Sequence, residues 1–413
     1  MPHEESYISR RDFLKTAGSA MVSALAVGPT LSAWLAGSSA RAQTAPGTAG
    51  PAPLDPTRKV RVGIVGGGFG AAFQWHLDPN CIVQAVSDLR PDRRSYLQQV
   101  YRCDKAYESL EKLVLDPDID AVAVFTGAPD HARHVVEVFN HGKHCISAVP
   151  ACMSLEEAQL LKETKERTGL TYMMAETSYY RPECILARQL WEDRLFGDFL
   201  YSEVEYYHNL SIGAEREALF FYEGQPTWRY GLPPMLYPTH STCFHVGVTG
   251  ERLTKVSCLG WGDDDVVLTD NIYRNPFWNM VSLCTTSGGQ ICRNNVFWRV
   301  NAGGERAQWF GNKATMYMPG SGGQPFIVQP EGQAPMTVCP SYLHLLPEPM
   351  RVPSGHGDSH SLLTHEFIAA LVEERPPAVD LYEALAMTVP GIVAMESARR
   401  GGEQLPIPSF DVA

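Results

Sequence analysis

The chain has 413 residues, 44% hydrophobic and 19% charged, with 34 basic against 46 acidic side chains and a net charge of −12. The apolar fraction suits a packed globule and excludes global disorder, and the length points to two or three domains. The acidic balance excludes a nucleic-acid backbone as the main partner, yet it is no bar to one nucleotide held by a local loop.

Residues 1–42 read as an export signal. Ser9-Arg10-Arg11-Asp12-Phe13-Leu14-Lys15 is a twin-arginine pattern, an uncharged stretch runs from Thr16 to Ala40, and Ala40-Arg41-Ala42 supplies the small residues of a cleavage site. An uncharged run this long could anchor a membrane. Its glycines, Pro29 and serines make it weakly apolar, so cleavage is expected. The protein is then exported folded by the twin-arginine machinery to the periplasm or another extracytoplasmic space, with no membrane contact afterwards. Residues 43–57, rich in Pro, Ala, Gly and Thr, read as a flexible leader. The ten cysteines form no Cys-x-x-Cys pair and most read as buried thiols, and no His/Asp/Glu spacing suggests a metal site.

Residues 58–177 carry a nucleotide pattern. A buried strand, Lys59 to Val65, runs into Gly66-Gly67-Gly68-Phe69-Gly70-Ala71. Gly66, Gly68 and Ala71 fit Gly-x-Gly-x-x-Ala: a tight turn, a close backbone approach to a pyrophosphate, and a small residue that lets the next helix pack on the strand. Phe69 and Gly70 share the loop, whose N–H groups and helix N-terminus would hold phosphates. A second strand, Ile82 to Ser87, ends at Asp88, about 20 residues beyond the first glycine, where a carboxylate accepts hydrogen bonds from a ribose diol. Asp88 favours NAD by repelling a 2′-phosphate; Arg90 and Arg93 leave NADP open. The spacing then predicts a helix over Ser109–Leu115, a strand over Asp120–Thr126, a helix over Pro129–Asn140, a strand over His144–Ser147, a helix over Ser154–Gly169 and a strand over Thr171–Ala175. This alternation means a parallel sheet with helices on both faces. Its ligand crevice lies at the carboxyl ends of the strands, beside Thr126, Pro129, His131, Val149 and Pro150.

From 178 to 413 the pattern changes. A helix is expected over Pro182–Asp193 and strands over Leu200–Asn209, Val256–Leu259, Met280–Thr285, Gln290–Arg299 and Arg306–Phe310, giving a mainly antiparallel sheet. Helices over Ser359–Glu374 and Tyr382–Arg399 follow. The fold class is α/β: an N-terminal Rossmann dinucleotide-binding domain and a C-terminal α/β domain with a mainly antiparallel sheet.

The fingerprint strand, Asp120-Ala121-Val122, Pro129-x-His131 and Gly142-Lys143-His144 together resemble the glucose–fructose oxidoreductase / inositol dehydrogenase (Gfo/Idh/MocA) family, over roughly residues 58–413. The resemblance implies a large open C-terminal sheet, hydride transfer between NAD(P) and a sugar or polyol hydroxyl, and homo-oligomers formed through sheet surfaces. Two positions depart from it. After Gly-Lys-His the family usually carries Glu-Lys-Pro, whose lysine supports the reacting hydroxyl; here the stretch is Ser147-Ala148-Val149-Pro150. The family's Asp four residues before a His is here Leu236, before His240. Leu236-Tyr237-Pro238-Thr239-His240 instead resembles the Tyr-x-x-His site of the family's NAD-dependent glycosidases of α-N-acetylgalactosaminidase type. So do Met173-Met174-Ala175-Glu176, Gly355-His356-Gly357-Asp358, Asp380-Leu381-Tyr382 and the ending Ile407-Pro408-Ser409-Phe410.

Export adds a separate argument. A periplasm has no free nicotinamide pool, so a cofactor carried out inside the fold must regain its redox state in each turnover. A coupled sugar oxidoreductase satisfies this. So does a glycosidase that oxidises a ring hydroxyl, eliminates the aglycone, adds water and reduces the ketone back. A non-catalytic sugar-binding protein is the alternative suggested by the missing Lys and Asp. For acid/base work the first candidate is His240, whose imidazole titrates near neutrality. Tyr237 would share its face if the stretch is helical, with Pro238 in the first turn. Glu176 and Tyr180, just past a Rossmann strand end, are candidates for sugar hydroxyls. A buried structural histidine, or a Glu176 that caps a helix or pairs with Arg181, would read the same way.

Overall fold

The structure, a computed structural model, describes residues 54–210, 214–320 and 324–412. The export signal at 1–42 and residues 43–53 of the leader lie outside the described residues.

β1 (Val60–Val65), β2 (Cys81–Ser87), β3 (Ala106–Tyr107), β4 (Ala121–Val124), β5 (His144–Ser147) and β6 (Tyr172–Met174) form one sheet in the order β3-β2-β1-β4-β5-β6. Every pair is parallel. β4 is buried along its whole length, as expected of a strand covered on both faces. The flanking helices are α1 (Pro91–Tyr101), α2 (His131–Asn140) and α3 (Leu155–Thr168). α3 has both terminal signals: Ser154 caps it by accepting from the Glu157 N–H, and Gly169 ends it with φ 68°. The pairings Val65–Ser87, Val65–Val124, Val124–Ser147 and Ser147–Met174 line up the carboxyl ends of five strands. Gly66, Asp88, Thr126, Val149 and Glu176 therefore leave the sheet along one edge.

The helix expected after the glycine loop is absent. Two 3-10 turns, Phe69–Ala72 and Trp75–Leu77, fill the segment instead. Phe73 and Trp75 are both buried, which pulls the chain into an extended path between the turns. Phe73 stacks on Phe125 and His360 with ring centroids 4.5 and 4.6 Å apart. Neighbours two apart cannot share a helical face, so these anchors break the helix.

After α4 (Pro182–Glu192) the chain enters the second sheet with β7 (Phe199–Tyr207). A hairpin, β8 (Phe221–Tyr222) and β9 (Gln225–Pro226), precedes α5 (Thr239–Thr249). The sheet continues with β10 (Leu253–Trp261), β11 (Asn279–Thr286), β12 (Ile291–Phe297), β13 (Gly304–Gly311), β14 (Ala314–Tyr317), β15 (Ile327–Pro330) and β16 (Met336–Thr337). α6 (Ser359–Val372), α7 (Leu381–Arg399) and β17 (Leu405–Pro406) close the chain. Nine strands follow the order β16-β15-β14-β13-β7-β12-β11-β10-β17. The neighbours are antiparallel except β7 and β12, which run parallel. The short strands β14 to β17 carry too little alternation to be read from sequence. α5 is buried at every residue, between the inner face of this sheet and α4 and α7. α7 passes so close to the chain before α5 that a Cβ on Gly391 would lie 2.1 Å from the Met235 carbonyl oxygen. That approach holds the Tyr237-Pro238 corner.

Candidate active site

The carboxyl edge of the first sheet builds a nucleotide cradle. Gly66 has φ 102°, and a Cβ there would lie 2.2 Å from the Phe125 carbonyl oxygen. Only glycine can take this turn. Gly67 is similarly pressed against the Arg93 backbone, at 2.6 Å. Gly68 differs: it is exposed, and the nearest atom to an added Cβ is Arg93 Nη1 at 3.5 Å. Its outer side is open, which is the space a pyrophosphate needs. Gly70 packs on the Phe125 ring, and its carbonyl accepts from Tyr101 Oη. Ala71 follows in the same turn, while Phe69 lies edge-on to Phe125, His356 and His360.

Asp88 is buried; one carboxylate oxygen accepts from Gly67 N at 2.6 Å and the other from Arg90 N at 2.8 Å. Arg90 is engaged by Asp92 at 2.7 Å. His131 ties two loops together, one ring nitrogen 2.7 Å from the Pro150 carbonyl and the other 3.0 Å from that of Thr126. It positions the crevice wall and is 1% exposed, so it supports the site from behind. Thr126 Oγ1 bonds His134, Pro129 lies in the turn Ala128–Asp130, and Val149 is buried beside Pro150. These residues fit a dinucleotide.

The same edge delivers Glu176. It caps the 3-10 turn Thr177–Tyr180 by accepting from Ser178 N at 2.8 Å, and the same oxygen accepts from His240 Nδ1 at 2.8 Å. His240 stands in the first turn of α5, 4.8 Å from the Tyr206 ring and 5.4 Å from that of Tyr237. Ser178 Oγ lies 3.2 Å from His240 Nδ1 and donates to Glu305, which also receives Arg181 Nε at 2.6 Å. Glu176 thus pairs with His240, and Arg181 with Glu305.

Burial works against a charged His240. The charge and hydrogen bond of Glu176, with the charge of Glu305, outweigh burial, so its pKa is raised. Burial would raise the Glu305 carboxyl, but Arg181, His240 and Ser178 bring it down to about 2. Glu176 is lowered too, His240 opposing its desolvation.

These shifts set a pH window. A raised His240 stabilises the fold fully below its unfolded value of 6.5, and the contribution fades as pH climbs through the folded value. The lowered carboxylates contribute fully above 4.5 and lose it as pH falls through their folded values. Thermal stability is therefore expected to fall as pH rises above 6.5 and His240 discharges. Glu176→Gln should flatten that slope in calorimetric scans; an unchanged slope contradicts the pairing.

Two expectations need correction. Tyr237 is not on the helix face of His240: Pro238 is the N-cap of α5, and Tyr237 ends the preceding 3-10 turn with φ −133°. It reaches the site by stacking on Trp228 and Tyr206 instead, with Arg229 5.6 Å above its ring. Tyr180 does not join the site. Its buried hydroxyl has no hydrogen-bond partner, and its charged surroundings are Glu366, Arg188 and Arg375. In the tight turn after Glu176 it is Ser178 that faces His240.

Sequence reasoning missed Ser178, Glu305 and Tyr206, and gave His356 only as part of a motif, with no role. The signal for Glu305 was an acid at an inward position of β13, in phase with Ala307 and Trp309. His356 adopts φ 53°, the left-handed region where a non-glycine residue is strained. Its Nδ1 lies 2.8 Å from His360 Nε2, and His360 Nδ1 donates to the Ala72 carbonyl at 3.1 Å. Burial lowers its pKa, and its charged neighbours are Glu305, His240, Arg181 and Glu176. A second imidazole therefore lies within electrostatic range of the cluster.

Residues 60–176 match the Gfo/Idh/MocA family model, described as an oxidoreductase family with an NAD-binding Rossmann fold. A glycosyl hydrolase family 109 protein of Solibacter usitatus is 25% identical, the match spanning 97% of each chain. A family 109 protein of Bacteroides thetaiotaomicron is 32% identical over 165 residues, 37% of this chain and 35% of its own. Among solved structures, levoglucosan dehydrogenase in complex with NADH and levoglucosan superposes with a TM-score of 0.71 at 15% identity, covering 85% of this chain and 100% of its own. An oxidoreductase domain protein from Kribbella flavida gives the same TM-score at 16% identity, with the same coverage. Together with the glycine cradle and the six-stranded parallel sheet, these findings show that residues 60–176 form an NAD-binding Rossmann domain of the Gfo/Idh/MocA oxidoreductase type.

Proposed function

We propose that this protein acts on a carbohydrate by hydride transfer, keeps its NAD through turnover, and returns it to the starting redox state each cycle. The observation that carries the reading is the Glu176–His240 pair on the edge where the nucleotide cradle lies. When bound, the nicotinamide supplies reversible hydride acceptance from a sugar carbinol. His240 Nε2 is the site that takes the hydroxyl proton. Glu176 fixes the proton on Nδ1 and stabilises the imidazolium that results, as an orienting carboxylate does in other His-based sites. Tyr237, beside Arg229, binds or relays at the same hydroxyl. His356, kept neutral by its burial, is the second group able to accept a proton.

The net reaction we favour is glycoside hydrolysis. A ketone makes the neighbouring C–H acidic, a base removes that proton, the aglycone leaves, water adds, and the ketone is reduced. Two imidazoles whose surroundings push their pKa values apart suit an acid and a base. The relative spanning 97% of both chains is named a family 109 glycosyl hydrolase, which supports this over a coupled sugar oxidoreductase. A panel of aryl glycosides, given to the purified protein with no added nucleotide, tests the reading; no phenol release from any of them counts against hydrolysis.

We further propose export by the twin-arginine route. Arg10→Lys with Arg11→Lys should leave the protein in the cytoplasm on cell fractionation, and normal export of that variant contradicts the assignment. The outer face of the second sheet shows Leu259, Trp261, Val281, Leu283 and Ile291 to solvent, 40% to 64% exposed. A second copy of the chain is the proposed cover, with light scattering as the check.

A further inference from the structure

After β7 the chain returns across the edge of the Rossmann sheet. The short helix Ala214–Phe220 leads into the β8–β9 hairpin, paired Phe221 to Pro226 and Tyr222 to Gln225. Tyr222, 40% exposed, lays its ring 3.9 Å from the Arg90 guanidinium carbon. Arg90 N in turn donates to Asp88, whose other oxygen holds Gly67 N. This contact stands at the end of β2.

Farther along, Trp228 lies against the loop after β4. A Cβ added to Gly127 would be 2.8 Å from its indole. Trp228 is fixed from behind: Tyr273 Oη donates to its carbonyl at 2.6 Å, and Arg229 stacks 4.2 Å over its ring. Thr227, its neighbour, donates from Oγ1 to the Leu219 carbonyl. β1, with its glycine loop, runs between β2 and β4. The segment therefore contacts the chain on either side of the loop, at Arg90 and Gly127, where a dinucleotide laid along the loop would pass beneath it.

We propose that residues 220–230 are a strap that retains the dinucleotide, anchored by Trp228 on Gly127 and latched by Tyr222 on Arg90. The inference rests on the reading that NAD stays bound through turnover. The two ends differ in kind. The anchor is half-buried and tied to the rest of the protein at Gly127, Tyr273 and Tyr237. The latch is one cation–aromatic contact on an exposed hairpin, so opening needs only that contact to part. Asp92 holds the Arg90 head group in place when the latch opens.

The test uses the protein as purified with its own nucleotide, chased with a large excess of etheno-NAD while displaced NAD is quantified over time. Wild type should carry close to one equivalent and exchange slowly. Tyr222→Ala should exchange about tenfold faster, the size expected for losing a partly desolvated cation–aromatic contact. Tyr222→Phe keeps the ring and should behave as wild type. Tyr222 is exposed, so the melting temperature of the emptied protein should match in all three. If wild type carries nucleotide but Tyr222→Ala and Trp228→Phe exchange at the wild-type rate, the strap is overturned and the retained cofactor stands. If wild type arrives empty and releases added NAD as fast as Tyr222→Ala, the retained cofactor and the strap fall together.

Discussion

His240→Ala should lower turnover by at least about a thousandfold, the upper part of the range for removing a general acid–base group, while the bound nucleotide stays near one equivalent per chain. The separation follows from the geometry. His240 belongs to α5 and is held by Glu176, whereas the cradle is made by Gly66, Gly67, Gly68 and Asp88. Removal of the imidazole also leaves Glu176 buried and unpaired, which is costly. His240→Gln, which keeps a donor toward Glu176, separates that cost from the chemistry: its melting temperature should recover toward wild type and its turnover should not. Wild-type turnover in His240→Ala, or equal recovery of turnover and stability in His240→Gln, removes the imidazole from the mechanism.

The glycine loop gives the second large effect, and it splits by position. Gly68→Val should leave the melting temperature close to wild type, because nothing lies within 3.5 Å of an added Cβ. It should nonetheless cost the protein its nucleotide, since the branched side chain fills the space over the loop that a pyrophosphate needs. Gly66→Ala should do the reverse in order of severity. Its φ of 102° and the 2.2 Å approach to the Phe125 carbonyl mean the backbone must move. Strain of this kind costs about 1–3 kcal/mol before any collision is counted, so the fold itself should weaken. Absorbance of the denatured supernatant and a thermal melt distinguish the two. A Gly68→Val protein that keeps its nucleotide contradicts the cradle.

The two halves of the site differ in how far they can be read from sequence. The cradle is local. A run of buried β-branched residues, a glycine turn and an Asp at the end of the next strand sit within one stretch of chain, and each has its own physical reason. Even there the helix after the turn failed to form, because burial of Phe73 and Trp75 overrode the local preference. The chemical cluster is not local. His240 could be picked out by its imidazole and its short motif. Its partners come from the end of β6, the 3-10 turn behind it, β13 and the loop before α6. Nothing in the sequence spacing of Glu176, Glu305 and His356 brings them together; the sheet edge and the packing of α5 do. The error over Tyr180 has the same origin. One residue either way in a tight turn decides which side chain faces inward, and here it is Ser178.

Redox-neutral turnover is the claim on which the rest depends. The protein, purified in nucleotide-free buffer, should be given an excess of a reactive aryl glycoside while released phenol and the near-ultraviolet absorbance of reduced nicotinamide are followed together. The expected result is many equivalents of phenol per chain with no lasting rise in reduced nicotinamide. A rise that stops at one equivalent, with further product only when NAD is added, would mean ordinary dehydrogenation with an exchangeable cofactor and would contradict the proposed cycle.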